Sequence, residues 1–223
     1  SSQIRQVITN RTRLVSIMFA NNEIGSIQPI QELCETAHEY GAQFHTDAVQ
    51  AVGHVEIDVH KLGIDFLSAS AHKFNGPKGI GFLYIRKGSI LASYADGGAQ
   101  ENSLRAGTEN VAAIVGMATA LKVNYDQIAK NKEHILDLER HLISKLSSLG
   151  ISFKRNGGVN TLPGLISLSF PEKDGEAILH RMDLMGISIS TGSACDSVNT
   201  EISHVLKAIH LDENYAKGTI RIS

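Results

Sequence analysis

Cysteine is scarce in this 223-residue chain: only Cys34 and Cys195 occur, far apart in sequence. A disulfide framework is therefore excluded, and a reducing, cytoplasmic compartment is expected. Charge of one sign is lacking too. The formal net charge is −2, so no bulk basic surface exists to hold nucleic acid by counterion release. No apolar run approaches the about 20 residues that a bilayer crossing needs, so no membrane contact is expected. The start, Ser1-Ser2-Gln3-Ile4-Arg5, lacks the basic flank and apolar core of a signal peptide. Metal motifs are missing as well. Ten histidines are present, but there is no Cys-x-x-Cys and no His-Glu-x-x-His. His38, His134, His141 and His180 fall on expected helices without ligand spacing, so no metal is expected. What remains is an ordinary globular composition, 42% hydrophobic and 20% charged. The 20 glycines exceed the usual share of about 7%, and many lie near His, Lys and Asp.

The hydrophobic pattern predicts alternating strands and helices. Ile4 to Thr12 reads as a short helix, and Leu14 to Ala20 as a buried strand ended by Asn21-Asn22. Pro29 opens a helix whose apolar face is Ile30, Leu33, Cys34 and Ala37, and Gly41 ends it. Cys34 on that face reads as core. Further strands are expected at Ala42 to Thr46, Ile64 to Ala69 and Ile80 to Ile85. Polar residues just past the strand ends indicate an α/β sheet with a site at its carboxyl edge. From Val111 to Leu149 the period becomes helical, through Ile128, Ile135, Leu138 and Leu142. Then come a strand at Leu165–Phe170, a helix at Asp174–Met185 and a strand at Ile187–Ser190. A helix at Glu201–Ile209 and a strand at Thr219–Ile222 complete a compact α+β unit. A boundary near residue 125 divides the chain into 1–125 and 126–223. Both ends look cut from something longer.

Three fragments could carry chemistry. Ser70-Ala71-His72-Lys73 puts a lysine between an apolar strand and the turn Phe74-Asn75-Gly76-Pro77-Lys78-Gly79. A partly buried amine of lowered pKa can condense with an aldehyde, and Ser70 and His72 can hydrogen-bond a phosphate. Taken alone, a solvated surface lysine is the commoner outcome. His45-Thr46-Asp47-Ala48-Val49-Gln50 ends a buried strand in a carboxylate, which is costly unless paired. A pyridinium N–H would suit it, and so would a helix N-cap. Asp47 and Lys73 lie one strand–connector–strand unit apart, which puts both on one edge of one sheet. Cys195 sits among small residues in Gly192-Ser193-Ala194-Cys195. That suits an exposed nucleophilic thiol, or equally a small polar turn with an incidental cysteine.

Together these fragments resemble the cysteine desulfurases of the class V aminotransferase superfamily, in its NifS-like group I branch. These enzymes depend on pyridoxal 5'-phosphate (PLP). The likeness runs from about Leu14 to Ser223 and rests on separated motifs in matching order. They are Asn21-Asn22-Glu23-Ile24-Gly25, Asp47 to Gln50, Ser70 to Lys73, Arg105-Ala106-Gly107-Thr108 and Gly192 to Cys195.

The resemblance implies a PLP-dependent transferase of fold type I. Residues 1–125 would be part of its large, mainly parallel-sheet domain, and 126–223 its small α+β domain. Lys73 resembles the lysine that holds PLP, and Asp47 the partner of the pyridine nitrogen. Gln50 and Asn22 would sit at the phenolic oxygen, with Asn22 also beside the substrate. Ser70 and His72 match phosphate contacts. Thr108 matches a residue that reaches the phosphate of the neighbouring subunit, which implies a homodimer. Arg221 matches the clamp on the substrate carboxylate, for which a bidentate guanidinium is suited. Cys195 matches the nucleophile that takes sulfur from L-cysteine as a persulfide. That sulfur would pass to an acceptor or an iron–sulfur scaffold protein, or toward tRNA thiolation without direct nucleic-acid binding.

Departures accompany the likeness. The family's large domain begins with a segment not seen here, which supplies a stacking histidine and a phosphate-binding threonine. The loop Gly97 to Ser103 lacks the usual glycine-rich, arginine-bearing form. This chain by itself is therefore expected to hold PLP weakly and to turn over little cysteine. Two alternatives stay open: a selenocysteine lyase or another class V lyase, and an inert chain serving as an interaction module.

Overall fold

The computed structural model describes residues 2–192 and 202–223. It divides into two compact units, Ser1–Phe19 with Pro29–Gln127, and Ala20–Gln28 with Ile128–Ser223.

The first unit is a four-stranded sheet in the order β1-β2-β3-β4: β1 (Leu14–Met18), β2 (Gln43–Asp47), β3 (Phe66–Ser70) and β4 (Gly81–Ile85). The first three strands run parallel, and β4 pairs antiparallel with β3. Strand alternation decides the faces. Phe44, Thr46, Leu67 and Ala69 are buried on one side, while Gln43, His45 and Asp47 alternate to the other and are half-buried. Helix α2 (Ile30–Glu39) packs on β2. Its buried face is Ile30, Leu33, Cys34, Thr36 and Ala37, the stripe that 3.6-residue spacing requires. Gly41, at φ 74°, turns the chain out of that helix. The short helix α1 (Ser2–Val7) precedes the sheet.

Asp65 ties this unit together. Its buried carboxylate accepts from Phe44 N–H at 2.8 Å and from His38 Nε2–H at 2.7 Å, and Arg86 lies 3.4 Å away. Burial pushes the Asp65 carboxyl up, but these hydrogen bonds outweigh it and hold the group below the usual carboxylate range. Cys34 is buried as expected, and burial pushes its thiol up to about 12.

Helix α3 (Val111–Ser148) is one continuous helix of 38 residues, with its first part in the first unit and the remainder in the second. No helix among the described residues is long and apolar enough to cross a membrane.

The second unit holds an antiparallel sheet, β5 (Lys154–Arg155), β6 (Ile166–Ser169) and β7 (Thr219–Ile222), in that order. Ile166, Leu168 and Ile220 form an apolar core with Leu142, Ile143 and Leu146 of α3. Helix α4 (Gly175–Leu184) adds Ile178. Beyond it lie α5 (His204–Ala208) and α6 (Glu213–Ala216), packed around Ile24, Leu206 and Leu211. Side-chain caps start each of these three helices: Asp174, Ser203 and Asp212 accept the orphan N–H two residues on.

The expected strand at Ile187–Ser190 is absent. Gly186 and Ile187 are drawn into the turn that ends α4, where their N–H groups donate to Asp183 and Met182 carbonyls. Only Ser190 reaches β7, as an isolated bridge to Arg221.

Candidate active site

One group of candidate residues lies at the carboxyl edge of the parallel strands of the first unit. Asp47 is the last residue of β2 and stands in register with Met18 of β1 and Ser68 of β3. Ser70 ends β3, so Asp47 and Ser70 share one edge. The Asp47 Oδ1 atom accepts Val49 N–H at 2.9 Å. This is an Asx turn at the start of the Ala48 to Gln50 connection. It holds the carboxylate in one orientation and leaves its second oxygen for another donor.

Lys73 follows Ser70 in a 3-10 turn, Ala71–Phe74. Its backbone is fastened at several points. Gly76 N–H donates to Ala71 O, and Ala71 N–H to Ile80 O. His54 Nε2–H donates to Lys73 O at 2.7 Å, and Asn124 Nδ2 donates to Phe74 O at 2.8 Å. Gly53 lies so close that a Cβ there would meet Phe74 Cβ at 2.6 Å. Phe74 and Ala71 take the buried side of the turn, and His72 and Lys73 are turned outward. Lys73 is thus exposed in this chain, the commoner of the two outcomes open to a lysine at such a strand end. A rigid backbone carries a freely reaching amine.

His45 shares the Asp47 face. Its Nδ1 lies 2.7 Å from Ser16 Oγ and its Nε2 3.2 Å from Ser68 Oγ, which joins three strands through one ring. Burial lowers the pKa of His45, against the pull of Asp47. Gln50 is half-buried in the turn after β2. Thr108 lies exposed in the loop before α3, and no hydrogen bond among the described residues joins it to this edge.

A second group of candidate residues lies in the other unit. Arg221 in β7 donates from Nη1 to Asn22 O at 3.1 Å, so two residues expected at the substrate touch each other. Arg221 Nε is buried with no partner among the described residues. Asn22 sits in a turn closed by its neighbour Asn21, whose Oδ1 accepts the N–H groups of Glu23 and Ile24. The face of β6 and β7 that carries Arg221 also carries a buried polar network. Asn156 Nδ2 donates to Ser167 Oγ at 3.1 Å and to Ser169 Oγ at 2.8 Å, and Ser169 Oγ lies 2.7 Å from Thr219 Oγ1. Cys195 lies outside the described residues.

Sequence reasoning missed His54, Asn124, Glu23 and Asn156. Each acts across a long stretch of chain, so no local pattern announces it. No group of three or more His, Cys, Asp or Glu among the described residues could hold a metal ion.

A family model, aminotransferase class-V, matches residues 1–223. A cysteine desulfurase IscS of Dictyoglomus turgidum is 48% identical over 221 residues, which cover 99% of this chain and 56% of that protein. A solved NifS-like protein superposes with a TM-score of 0.89 at 37% identity, covering 100% of this chain and 58% of its own. SspA, solved in complex with cysteine, superposes at 0.81 with 36% identity, over 100% of this chain and 61% of its own. These likenesses define a class first: the α/β architecture with its mainly parallel sheet is that of the fold type I PLP-dependent transferases. Within that class, the chain belongs to the aminotransferase class-V family. It spans little more than half the length of the curated relatives it matches.

Proposed function

We propose that this chain is the part of a PLP-dependent cysteine desulfurase that holds the cofactor lysine, the substrate arginine and the sulfur-accepting thiol. The observation that carries the reading is the common edge of Asp47 and the Ser70–Lys73 turn, on adjacent parallel strands. The donor set there fits PLP. A carboxylate with one oxygen committed to Val49 N–H offers the other to a pyridinium N–H, with an amine, a hydroxyl and an imidazole along the same edge. The likeness to cysteine desulfurases, and to a protein solved with cysteine, supports L-cysteine as substrate.

In this reading Lys73 holds PLP, Asp47 faces its ring nitrogen, Ser70 and His72 hold its phosphate, and Gln50 and Asn22 sit at its phenolic oxygen. Bound there, PLP would draw off the electrons left on the substrate's α-carbon. Lys73 Nζ, freed when the substrate's amino group takes its place, takes the α-proton, and the fastened backbone of its turn keeps that amine in reach. Arg221 grips the substrate carboxylate through a guanidinium already oriented by Asn22 O. The Cys195 thiolate attacks the substrate sulfur. The substrate's C–S bond breaks and an S–S bond forms; the C–S electron pair stays with the carbon skeleton, which takes up a proton at the β-carbon and regains the α-proton, leaving L-alanine and a persulfide on Cys195. The persulfide then passes to an acceptor protein, such as an iron–sulfur scaffold. Thr108 serves the phosphate of a second copy, so the working form is a homodimer, in the cytosol.

The test is mass spectrometry of the full-length parent protein after PLP and L-cysteine. Cys195 is expected to gain one sulfur as alanine appears, and Lys73→Ala to abolish both. Alanine without sulfur on Cys195, or sulfur gain that survives Lys73→Ala, would defeat the assignment.

A further inference from the structure

Glu23 is a carboxylate only 4% exposed, and the steps above leave it without a task. Burying a carboxylate is costly unless strong hydrogen bonds repay it. Its Oε2 accepts Ser203 Oγ–H at 2.5 Å, a short, charge-assisted bond. Ser203 is the N-cap of α5, and its Oγ in turn accepts Val205 N–H at 3.1 Å. The same Oε2 lies 3.8 Å from where a Cβ on Gly192 would stand. The oxygen thus bonds Ser203, which follows the segment 193–201 that includes Cys195, and leaves Gly192, which precedes it, room for no more than a methyl group on that side. On its backbone side, Glu23 belongs to the turn whose Asn22 carbonyl holds Arg221. All five residues lie in one unit.

We propose that Glu23 is a positioning residue, a buried anchor that fixes the start of α5 to the turn that orients Arg221. Through it the chain that follows the Cys195 segment is held in register with the substrate's carboxylate clamp. The inference rests on the desulfurase reading for its catalytic consequence, and on geometry alone for the anchor itself. The anchor needs an acceptor at residue 23 and a hydroxyl at residue 203, and each is useless without the other.

The experiment uses Glu23→Met, Ser203→Ala and the double variant in the native PLP-loaded protein, with thermal melts confirming that each folds. Hydrogen exchange without substrate reads the anchor. Exchange across 202–208 is expected to quicken roughly tenfold in each single variant, and the double variant to be no faster than Ser203→Ala. Turnover of L-cysteine reads the consequence: kcat is expected to fall roughly tenfold, with KM within about twofold and PLP absorbance unchanged. Unchanged exchange, additive effects, or a change confined to KM would overturn the proposal. Failure of the unaltered protein to form alanine would sink the desulfurase reading, while the exchange measurement would still decide the anchor.

Discussion

Replacing Asn156 by alanine probes how the sheet that carries Arg221 is held. Asn156 is 3% exposed, and its amide donates to two serines on β6. Loss of the bond to Ser169 removes about 1 kcal/mol, since that hydroxyl keeps Thr219. The bond to Ser167 is different. It is the one side-chain hydrogen bond described for that residue, which is itself 2% exposed, so its hydroxyl would be left buried and alone. That orphan costs about 1–3 kcal/mol, and the total is about 2–4 kcal/mol. Two units need not melt as one, so native-state hydrogen exchange of the β6 and β7 amides is the suitable assay. Protection there is expected to fall by roughly thirtyfold to seven-hundredfold, at about 1.4 kcal/mol per tenfold. Adding Ser167→Ala should recover part of the loss, because no orphan then remains. A fall below about threefold, or a double variant worse than the sum, would refute the reasoning.

Three further outcomes are expected. Cys34, buried and with its thiol pushed up to about 12, should resist alkylation at pH 8 in the native protein and react only on unfolding, as peptide mapping would report. Burial lowers the pKa of His45, so the folded chain favours the neutral ring. The stability this gives is complete above the ordinary value of about 6.5 and is lost as pH falls below it, and His45→Gln should flatten that slope in urea titrations. Gly53→Ala should destabilise the first unit by about 2 kcal/mol or more, since its φ is 83° and the new Cβ meets Phe74 Cβ at 2.6 Å. The Lys73 turn should shift with it, which weakened PLP binding would register.

Sequence patterns gave good access to the elements whose cause is local. The apolar stripe of α2, with Cys34 on it, and the strands ending at Asp47 and Ser70 follow from periodicity and from the polar residues after them. Whether Lys73 is exposed or partly buried was open in the sequence, because a 3-10 turn decides which side each residue takes; here its neighbours Ala71 and Phe74 claim the inside. The strand at Ile187–Ser190 failed where helix-ending hydrogen bonds took its first residues. Contacts such as Arg221 with Asn22, Glu23 with Ser203 and Asn156 with Ser169 join residues far apart in the chain, and only the folded sheet brings them together.

The central claim is that Lys73 is the amine that takes PLP. Hydride reduction of the native protein after exposure to PLP would fix the cofactor wherever it is bound, and peptide mapping would find it. A phosphopyridoxyl group is expected on Lys73 Nζ, in lower yield in Asp47→Asn. A label on Lys78 or Lys87 in place of Lys73, or one that Asp47→Asn leaves unchanged, would contradict it.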